Sequence, residues 1–558
     1  MQKTWWKESV IYQIYPRSFC DSNGDGIGDI QGIISKLDHL QELGVNIVWL
    51  SPIYASPNDD NGYDISDYYG IMQEFGTIED FDQMLAEMKK RNLKLMMDLV
   101  VNHSSDEHQW FQESRKSKDN PYRDFYFWRK GENGNSPSNW RSFFSGSAWQ
   151  YDPTTEEYYL HLFTKKQPDL NWENEKLRQE IYKMMRFWLD KGISGFRMDV
   201  IPFISKHLDF PPAYLDNFDK TMKEIYANGP RIHEFLQEMN REVLSKYDIT
   251  TVGEGAGISV HQGIEYVSSD KKELHTIFHF DHMGLDRNPK NHMDGIGTYK
   301  LSAFKKIFTD WHQALGSKGW NSLFLSNHDF PRMVSRFGND QEYRIESAKS
   351  LATVLFTLRG TPYIYQGDEI GMVNYPFQNI EDFRDVQVLN AYKEALEEQQ
   401  DMEKFLDSQR RFTRDHARTP MQWDESENAG FTGGKAWIGI HPNYLEVNVK
   451  KSRQDRDSVM NYYKKLINLR KQNLTLVYGD YEIFYEDSEQ IYCYLRSMNE
   501  DKLLIINNIS SHTADFELPK HLQESGKELL LSNYEVSVAQ SIKTLVLRPY
   551  EVRIYRLQ

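Results

Sequence analysis

GFRMDVIPF, residues 195–203, reads as a buried strand that carries charge. Phe196, Met198, Val200 and Ile201 give it the apolar, β-branched character of a strand packed on both sides. Arg197 and Asp199 lie two residues apart within it, so their side chains leave the same face. Ionised groups are costly to bury unless they are paired, hydrogen-bonded or placed where charge is used. The stretch is therefore either a structural ion pair or the working end of an active site.

Seven further runs have the same β-rich character: VIYQIY (10–15), NIVWLSP (46–52), LKLMMDLVVN (93–102), ITTVGE (249–254), TIFHF (276–280), SLFLSNHD (322–329) and TPYIYQG (361–367). Amphipathic helical patterns separate several of them, including IQGIISKLDHLQELG, TIEDFDQMLAEMKKRN and KLRQEIYKMMRFWLDKG, the last ending on a glycine stop. Eight buried strands alternating with helices predict a parallel (β/α)8 TIM barrel. An open doubly wound sheet is the runner-up, but no GxGxxG turn supports a nucleotide-binding version. The interval between runs three and four is too long for a simple connection and is polar, aromatic and loop-rich, which predicts an inserted subdomain. After residue 480 the pattern changes to short alternating strands. The expected organisation is a catalytic barrel over 1–103 and 171–479, an insertion over 104–170 at the barrel mouth, and a C-terminal antiparallel β-sandwich domain over 480–558.

Composition removes several classes of function. The chain has 558 residues, a formal net charge of −16 and no concentrated Lys/Arg stripe, so nucleic acid is not an expected partner. No apolar run of about 18 residues indicates a membrane span, and the N-terminal segment has no signal-peptide pattern. Cys20 and Cys493 are the two cysteines, too few for a disulfide framework, which fits a reducing, cytoplasmic compartment. A monomer is expected, with no redox or nucleotide cofactor.

Polar residues interrupt the predicted strands near their carboxyl ends: Asp98, Asn102 and His103 on the third, Arg197 and Asp199 on the fourth, Glu254 on the fifth, His328 and Asp329 on the seventh. In a β/α barrel those ends form one rim, where active sites are built from separate strands. Carboxylates gathered there without a Cys/His cluster point to acid–base chemistry. Glycoside cleavage with retention uses two carboxyls about 5–5.5 Å apart, one a nucleophile and one a proton donor. Asp199 and Glu254, on neighbouring strands, can supply them. Arg197 is expected to hold the Asp199 pKa down, burial and a second carboxylate to raise that of Glu254, and Asp329 to bond sugar hydroxyls.

DLVVNH (98–103), GFRMDV (195–200), VGE (252–254) and SNHD (326–329) resemble the four signature regions of the α-amylase superfamily, glycoside hydrolase family 13. QPDLNW (167–172), WWKESVIYQIYPRSF, DDNGYDISDY and RDHARTPMQWD resemble its oligo-1,6-glucosidase and α-glucosidase branch. The resemblance implies Asp199 as nucleophile, Glu254 as general acid/base and Asp329 as transition-state stabiliser. It implies that Asp60, Tyr63, His103, Arg197, His328 and Arg414 hold a terminal glucose, and that Phe144, Phe163, Gln167 and Arg418 line or support that pocket. Exo-action on a short oligosaccharide or disaccharide follows from such a pocket.

Val200, after the nucleophile, resembles members that prefer α-1,6 bonds. GEGAG (253–257) departs from the GEMPG of typical oligo-1,6-glucosidases, and Pro202 replaces their usual Asn. The segment GLDRNPKN (284–291) partly resembles the RLDRD loop of sucrose isomerases, and trehalose-6-phosphate hydrolases are a further neighbour. Retention of three carboxylates argues against a non-catalytic binding relative. Finally, DSNGDGIGD (21–29) carries alternating oxygen side chains suited to a hard cation. Its likeness to the family's structural calcium loop implies Asp21, Asn23, Asp25, Ile27 and Asp29 as the Ca2+ site.

Overall fold

Eight parallel strands appear where the eight runs place them in the computed structural model, which describes residues 3–131, 134–288, 291–295, 298–523 and 526–558. They are β1 (Ile11–Ile14), β2 (Ile47–Leu50), β3 (Lys94–Leu99), β4 (Gly195–Met198), β5 (Thr250–Gly255), β6 (Thr276–His279), β7 (Ser322–Leu323) and β8 (Thr361–Tyr365). The hydrogen-bonded order is β6-β5-β4-β3-β2-β1-β8-β7, and a parallel bridge between Ile277 and Asn321 closes β6 onto β7. The sheet is thus a closed barrel, with its strands packed inside one continuous apolar core.

Local chemistry explains the helices that cover it. Thr77 and Asp80 form a reciprocal capping box at the start of the helix Ile78–Lys90. Asn174 caps the helix Glu175–Lys191, and Gly192 ends it in the left-handed conformation that glycine tolerates best. The pattern over 30–44 folds as two helices, Ile30–Ser35 and Leu37–Leu43, rather than one.

Between β3 and β4 the chain forms a three-stranded antiparallel sheet in which Glu157–Leu160 lies between Trp128–Arg129 and Trp149–Asp152. Its aromatic core (Phe127, Trp140, Trp149) is continuous with Val200, Phe203 and Phe210 from the segment after β4. This packing fixes the insertion against the strand that carries Arg197. The C-terminal region forms a five-stranded antiparallel sheet, β9 (Asp480–Phe484), β10 (Ile491–Met498), β11 (Asp501–Asn508), β12 (Lys527–Ser532) and β13 (Val552–Leu557), in the order β9-β10-β11-β13-β12. A separate pair, Ala514–Glu517 with Thr544–Leu547, packs into the same core. The final stretch SIKTLVLRPYEVRIYRLQ (541–558) holds two strands, Thr544–Leu547 and Val552–Leu557.

Candidate active site

Parallel register brings the first ion pair together. Asp98 on β3 lies directly beside Arg197 on β4, while Met198 lies beside Gly253 on β5, one residue before Glu254. Arg197 Nη1 donates to Asp98 Oδ1 (2.8 Å) and to Asp199 Oδ1 (2.8 Å), and Nη2 pairs with Glu254 Oε2. Tyr63 Oη (3.1 Å) and Trp49 Nε1 (3.2 Å) donate to the other oxygen of Asp98. One guanidinium therefore serves three carboxyls, all nearly excluded from solvent.

Asp199 and Glu254 are thus tied to the two Nη atoms of one guanidinium, and Glu254 also accepts from the Val200 N–H. Two carboxyls on neighbouring strands, one able to act as nucleophile and the other as proton donor, form the arrangement that retaining glycosidases use. Burial raises the Asp199 pKa well above the carboxylate range, Arg197 opposes it, and the charges of Glu254, Asp98 and Asp329 add to the rise. Burial likewise raises Glu254, with Arg197 again opposing. Arg197 pulls the Asp199 pKa down as expected, but burial and the neighbouring carboxylates outweigh it, and the net shift is upward.

Strand β4 ends at Met198, and Asp199 and Val200 follow it. Val200 has φ 34° and ψ 41°, a left-handed backbone that a β-branched residue adopts only under constraint. The constraint is visible: the Asp199 N–H donates to Leu99 O (3.0 Å) and the Val200 N–H donates to Glu254 Oε2 (3.1 Å). Val200 is thus not strand filler. The turn it makes hands a backbone donor to Glu254.

Strand β7 is only two residues long, so His328 and Asp329 stand on an irregular segment beyond it rather than at its end. The Gln13 amide donates to His328 Nδ1 (2.8 Å), which leaves Nε2 facing Tyr63 Oη (2.6 Å). The two rings stack with centroids 5.2 Å apart. Burial lowers the His328 pKa to about 3, so the imidazole is neutral near pH 7.

A second cluster closes the opposite wall. Arg414 donates through Nε and Nη2 to the two oxygens of Asp385 (2.8 and 2.5 Å) and through Nη1 to Asp329 Oδ1 (3.2 Å). Arg418 Nη2 donates to the same Asp329 oxygen (3.1 Å). Burial opposes ionisation of Asp329, but His328, Arg414 and Arg418 more than offset it and hold the carboxyl well below its usual range. Since His328 is neutral, the two arginines carry that effect. Asp60 lies 3.4 Å from Arg414 and accepts from Gln167 (3.2 Å), yet burial pushes its pKa up to about 7.

These clusters face one cavity of about 460 Å³ at the carboxyl ends of the strands. Asp60, Tyr63, His103, Phe144, Phe163, Asp199, Val200, Glu254, Asp329 and Arg414 line it. Arg197, Gln167, His328 and Arg418 stand behind those side chains and bond to them. Sequence reading missed Asp385, which lines the cavity and is the main partner of Arg414. It lies in the loop FRDVQ after β8, where no periodicity marks it. Of the isomerase-like segment, Arg287 and Asn288 line the cavity, whereas Pro289 and Lys290 lie outside the described residues.

The acidic loop 21–29 lies apart from this cavity. Asp21 accepts backbone N–H bonds from Asn23, Gly24 and Gly26, Asn23 from Asp25, and Asp25 from Ile27. Asp29 caps the following helix and holds Ser22. Among the described residues no group of three or more carboxylate, His or Cys side chains is placed to hold a metal, so the expected set is not preassembled. Each carboxylate is turned to its own backbone amides. The donor chemistry is nonetheless hard oxygen, and an oxygen that accepts one N–H keeps a second lone pair.

A buried carboxyl pair on one arginine, at the mouth of a (β/α)8 barrel, defines a glycoside hydrolase. The family model described as alpha amylase, catalytic domain, matches residues 13–479, and that described as alpha-amylase SusG C-terminal domain matches 491–554. The chain belongs to the α-amylase family, glycoside hydrolase family 13. It is similar to the oligo-1,6-glucosidase of Parageobacillus thermoglucosidasius (59% identity) and that of Bacillus cereus (56%), each covered over 100% of both chains. Among solved structures it resembles a variant of isomaltulose synthase from Erwinia rhapontici NX5 in complex with its natural substrate sucrose. There the TM-score is 0.97 at 46% identity, covering 100% of both chains. No helix of the described residues is long and apolar enough to cross a membrane.

Proposed function

We propose that this chain is an exo-acting, retaining α-glucosidase that hydrolyses terminal α-1,6-linked glucose from short oligosaccharides such as isomaltose and panose. The observation that carries the proposal is the placing of Asp199 and Glu254 on the shared guanidinium of Arg197. Relatives named oligo-1,6-glucosidase, similar over the full length, support the linkage.

The reaction starts with Glu254 protonated and Asp199 ionised. The Asp199 carboxylate attacks the anomeric carbon while Glu254 protonates the departing glycosidic oxygen. The C–O bond to the leaving sugar breaks as the bond to Asp199 forms. Glu254, now ionised, deprotonates a water that attacks the same carbon, which frees α-glucose and returns the proton to Glu254. Asp329, held ionised by Arg414 and Arg418, takes hydrogen bonds from ring hydroxyls as the sugar flattens. Neutral His103 lines the terminal-glucose end without adding charge, and neutral His328 holds Tyr63 from behind.

The test is a panel of kcat/KM values over isomaltose, panose, maltose, sucrose, trehalulose and trehalose-6-phosphate, with the anomer of released glucose followed by NMR. Initial release of β-glucose, or no glucose from any substrate, sinks the reading. Accumulation of isomaltulose from sucrose would move the chain to the isomerase reading, which Arg287 at the cavity wall favours. The free, buried thiols of Cys20 and Cys493 support a reducing, cytoplasmic setting. Asp21, Asn23, Asp25, Asp29 and the Ile27 carbonyl would hold a structural Ca2+ remote from the chemistry.

A further inference from the structure

Two departures from the branch pattern, Pro202 and the GEGAG segment, meet at one element. The residues after the helical turn Phe218–Thr221 form a single π-type turn, Met222–Tyr226, closed by the Ala227 N–H on Met222 O (3.0 Å). Such turns are rare and concentrate at functional sites. Asn228, just beyond it, has φ 59° and is held from both sides. Its N–H donates to Pro202 O (2.9 Å), and its side-chain amide reaches Gly257 O (3.4 Å) while Tyr266 Oη donates to its Oδ1 (2.7 Å).

Gly257 suits this close approach. Its φ is +73°, and a Cβ there would meet Met222 Cγ and Ala227 Cβ at 3.1 Å and Met222 O at 3.2 Å. A side chain would strain the backbone and oblige the π turn or the Glu254 loop to give by a few tenths of an ångström. The consequence is a wall: Met222, Val200, Ala256 and Gly257 all line the cavity, Val200 bonded to Glu254 through its N–H and Met222 packed against the Glu254 loop at Gly257, with Asp219 and Lys223 paired among the lining residues (2.9 Å). A retaining enzyme places its acid beside the departing oxygen, so this wall faces the leaving sugar.

We propose that Met222 determines leaving-group specificity, held in place by Gly257 and by the Pro202–Asn228 hydrogen bond. The inference rests on the α-glucosidase reading. The half-buried thioether offers an apolar, deformable surface to the ring face of the departing glucose, while the Asp219–Lys223 pair offers donors and acceptors to its hydroxyls. A wall of this kind discriminates by the shape of the leaving sugar and leaves the terminal glucose end untouched.

The experiment compares wild type with Met222→Ala, Met222→Leu and Gly257→Ala, each checked for unchanged thermal unfolding temperature. The readouts are the isomaltose-to-maltose ratio of kcat/KM and the inhibition constant of 1-deoxynojirimycin, a monosaccharide mimic that fills only the terminal-glucose end. Met222→Ala is expected to change the ratio at least fivefold with the inhibition constant within twofold of wild type, and Met222→Leu, similar in volume, to restore most of it. Gly257→Ala is expected to change the ratio in the same direction as Met222→Ala. A ratio within twofold of wild type in Met222→Ala overturns the proposal, as does a parallel weakening of the inhibitor, which would mark a general distortion. Failure of wild type to release glucose from either disaccharide overturns the α-glucosidase reading instead, and is distinguishable because inhibitor binding needs no turnover.

Discussion

The two walls of the cavity hold three carboxyls each, but one has a single arginine and the other has two. On the Arg197 side, Asp98, Asp199 and Glu254 are all pushed up, by burial first, Asp98 to about 6. On the opposite side, Asp385 and Asp329 are held low against burial, Asp385 chiefly by Arg414, and only Asp60 is left high. The comparison teaches that burial is similar and the ratio of guanidinium to carboxyl sets the protonation state. The under-compensated wall keeps a mobile proton, which acid–base chemistry needs. The compensated wall keeps fixed charge, which orientation and transition-state stabilisation need.

The largest break in this comparison removes a reacting carboxyl. Asp199→Asn is expected to lower kcat by about 10⁴-fold. Glu254→Gln should lower it by about 10²–10⁴-fold on disaccharides, with much less loss on an aryl glucoside whose leaving group needs no proton. Equal losses on both substrates would deny Glu254 the acid role. Next in size is the fixed wall. Arg414→Ala leaves Asp385 and Asp329 short of a buried partner, so unfolding free energy should fall by about 3–5 kcal/mol, measured by urea titration at pH 7. A loss below about 1 kcal/mol would mean the clamp is not the structural unit described.

The mobile wall predicts the opposite sign. A carboxyl whose folded pKa is raised binds more protons folded than unfolded, so stability falls as pH climbs from the unfolded value toward the folded one. Asp199 and Glu254 therefore cost stability at neutral pH. Asp199→Asn should raise the unfolding temperature at pH 7, and the gain should shrink toward pH 4, where the unfolded-state carboxyl also becomes protonated. A gain independent of pH would refute the raised pKa of Asp199.

Much of this was legible in the sequence because buried parallel strands are contiguous apolar runs, and because a charge inside such a run stands out. Arg197, Asp199 and Glu254 were readable for that reason. Asp385 was not, since its value lies in meeting Arg414 from another loop, a pairing that no local period encodes. The left-handed turn at Val200 was hidden too: its residue type favours a strand, and only bonds to Leu99 and Glu254 impose the turn. The sharing of one guanidinium among three carboxyls required the register of three strands.

The smallest expected effect sharpens the comparison with a third acidic region. In the loop 21–29 backbone N–H groups do the work that arginines do at the cavity. Burial opposes ionisation of Asp21, but Thr432 and the amides of Gly24, Gly26 and Asn23 bring its pKa below the ordinary value. Amides carry no net charge, so the loop stays anionic, and Asn23 and Asp25 are solvent-exposed. The proposed Ca2+ would supply positive charge there. At a calcium concentration tenfold above its dissociation constant, binding to the folded state alone adds about 1.4 kcal/mol. In a protein this large that corresponds to roughly 1 °C in unfolding temperature. Calorimetry with calcium and with a chelator should show that difference in the wild type and lose it in Asp25→Ala, while kcat on isomaltose stays unchanged in both. Equal unfolding temperatures with and without calcium would mean that backbone amides alone hold the loop.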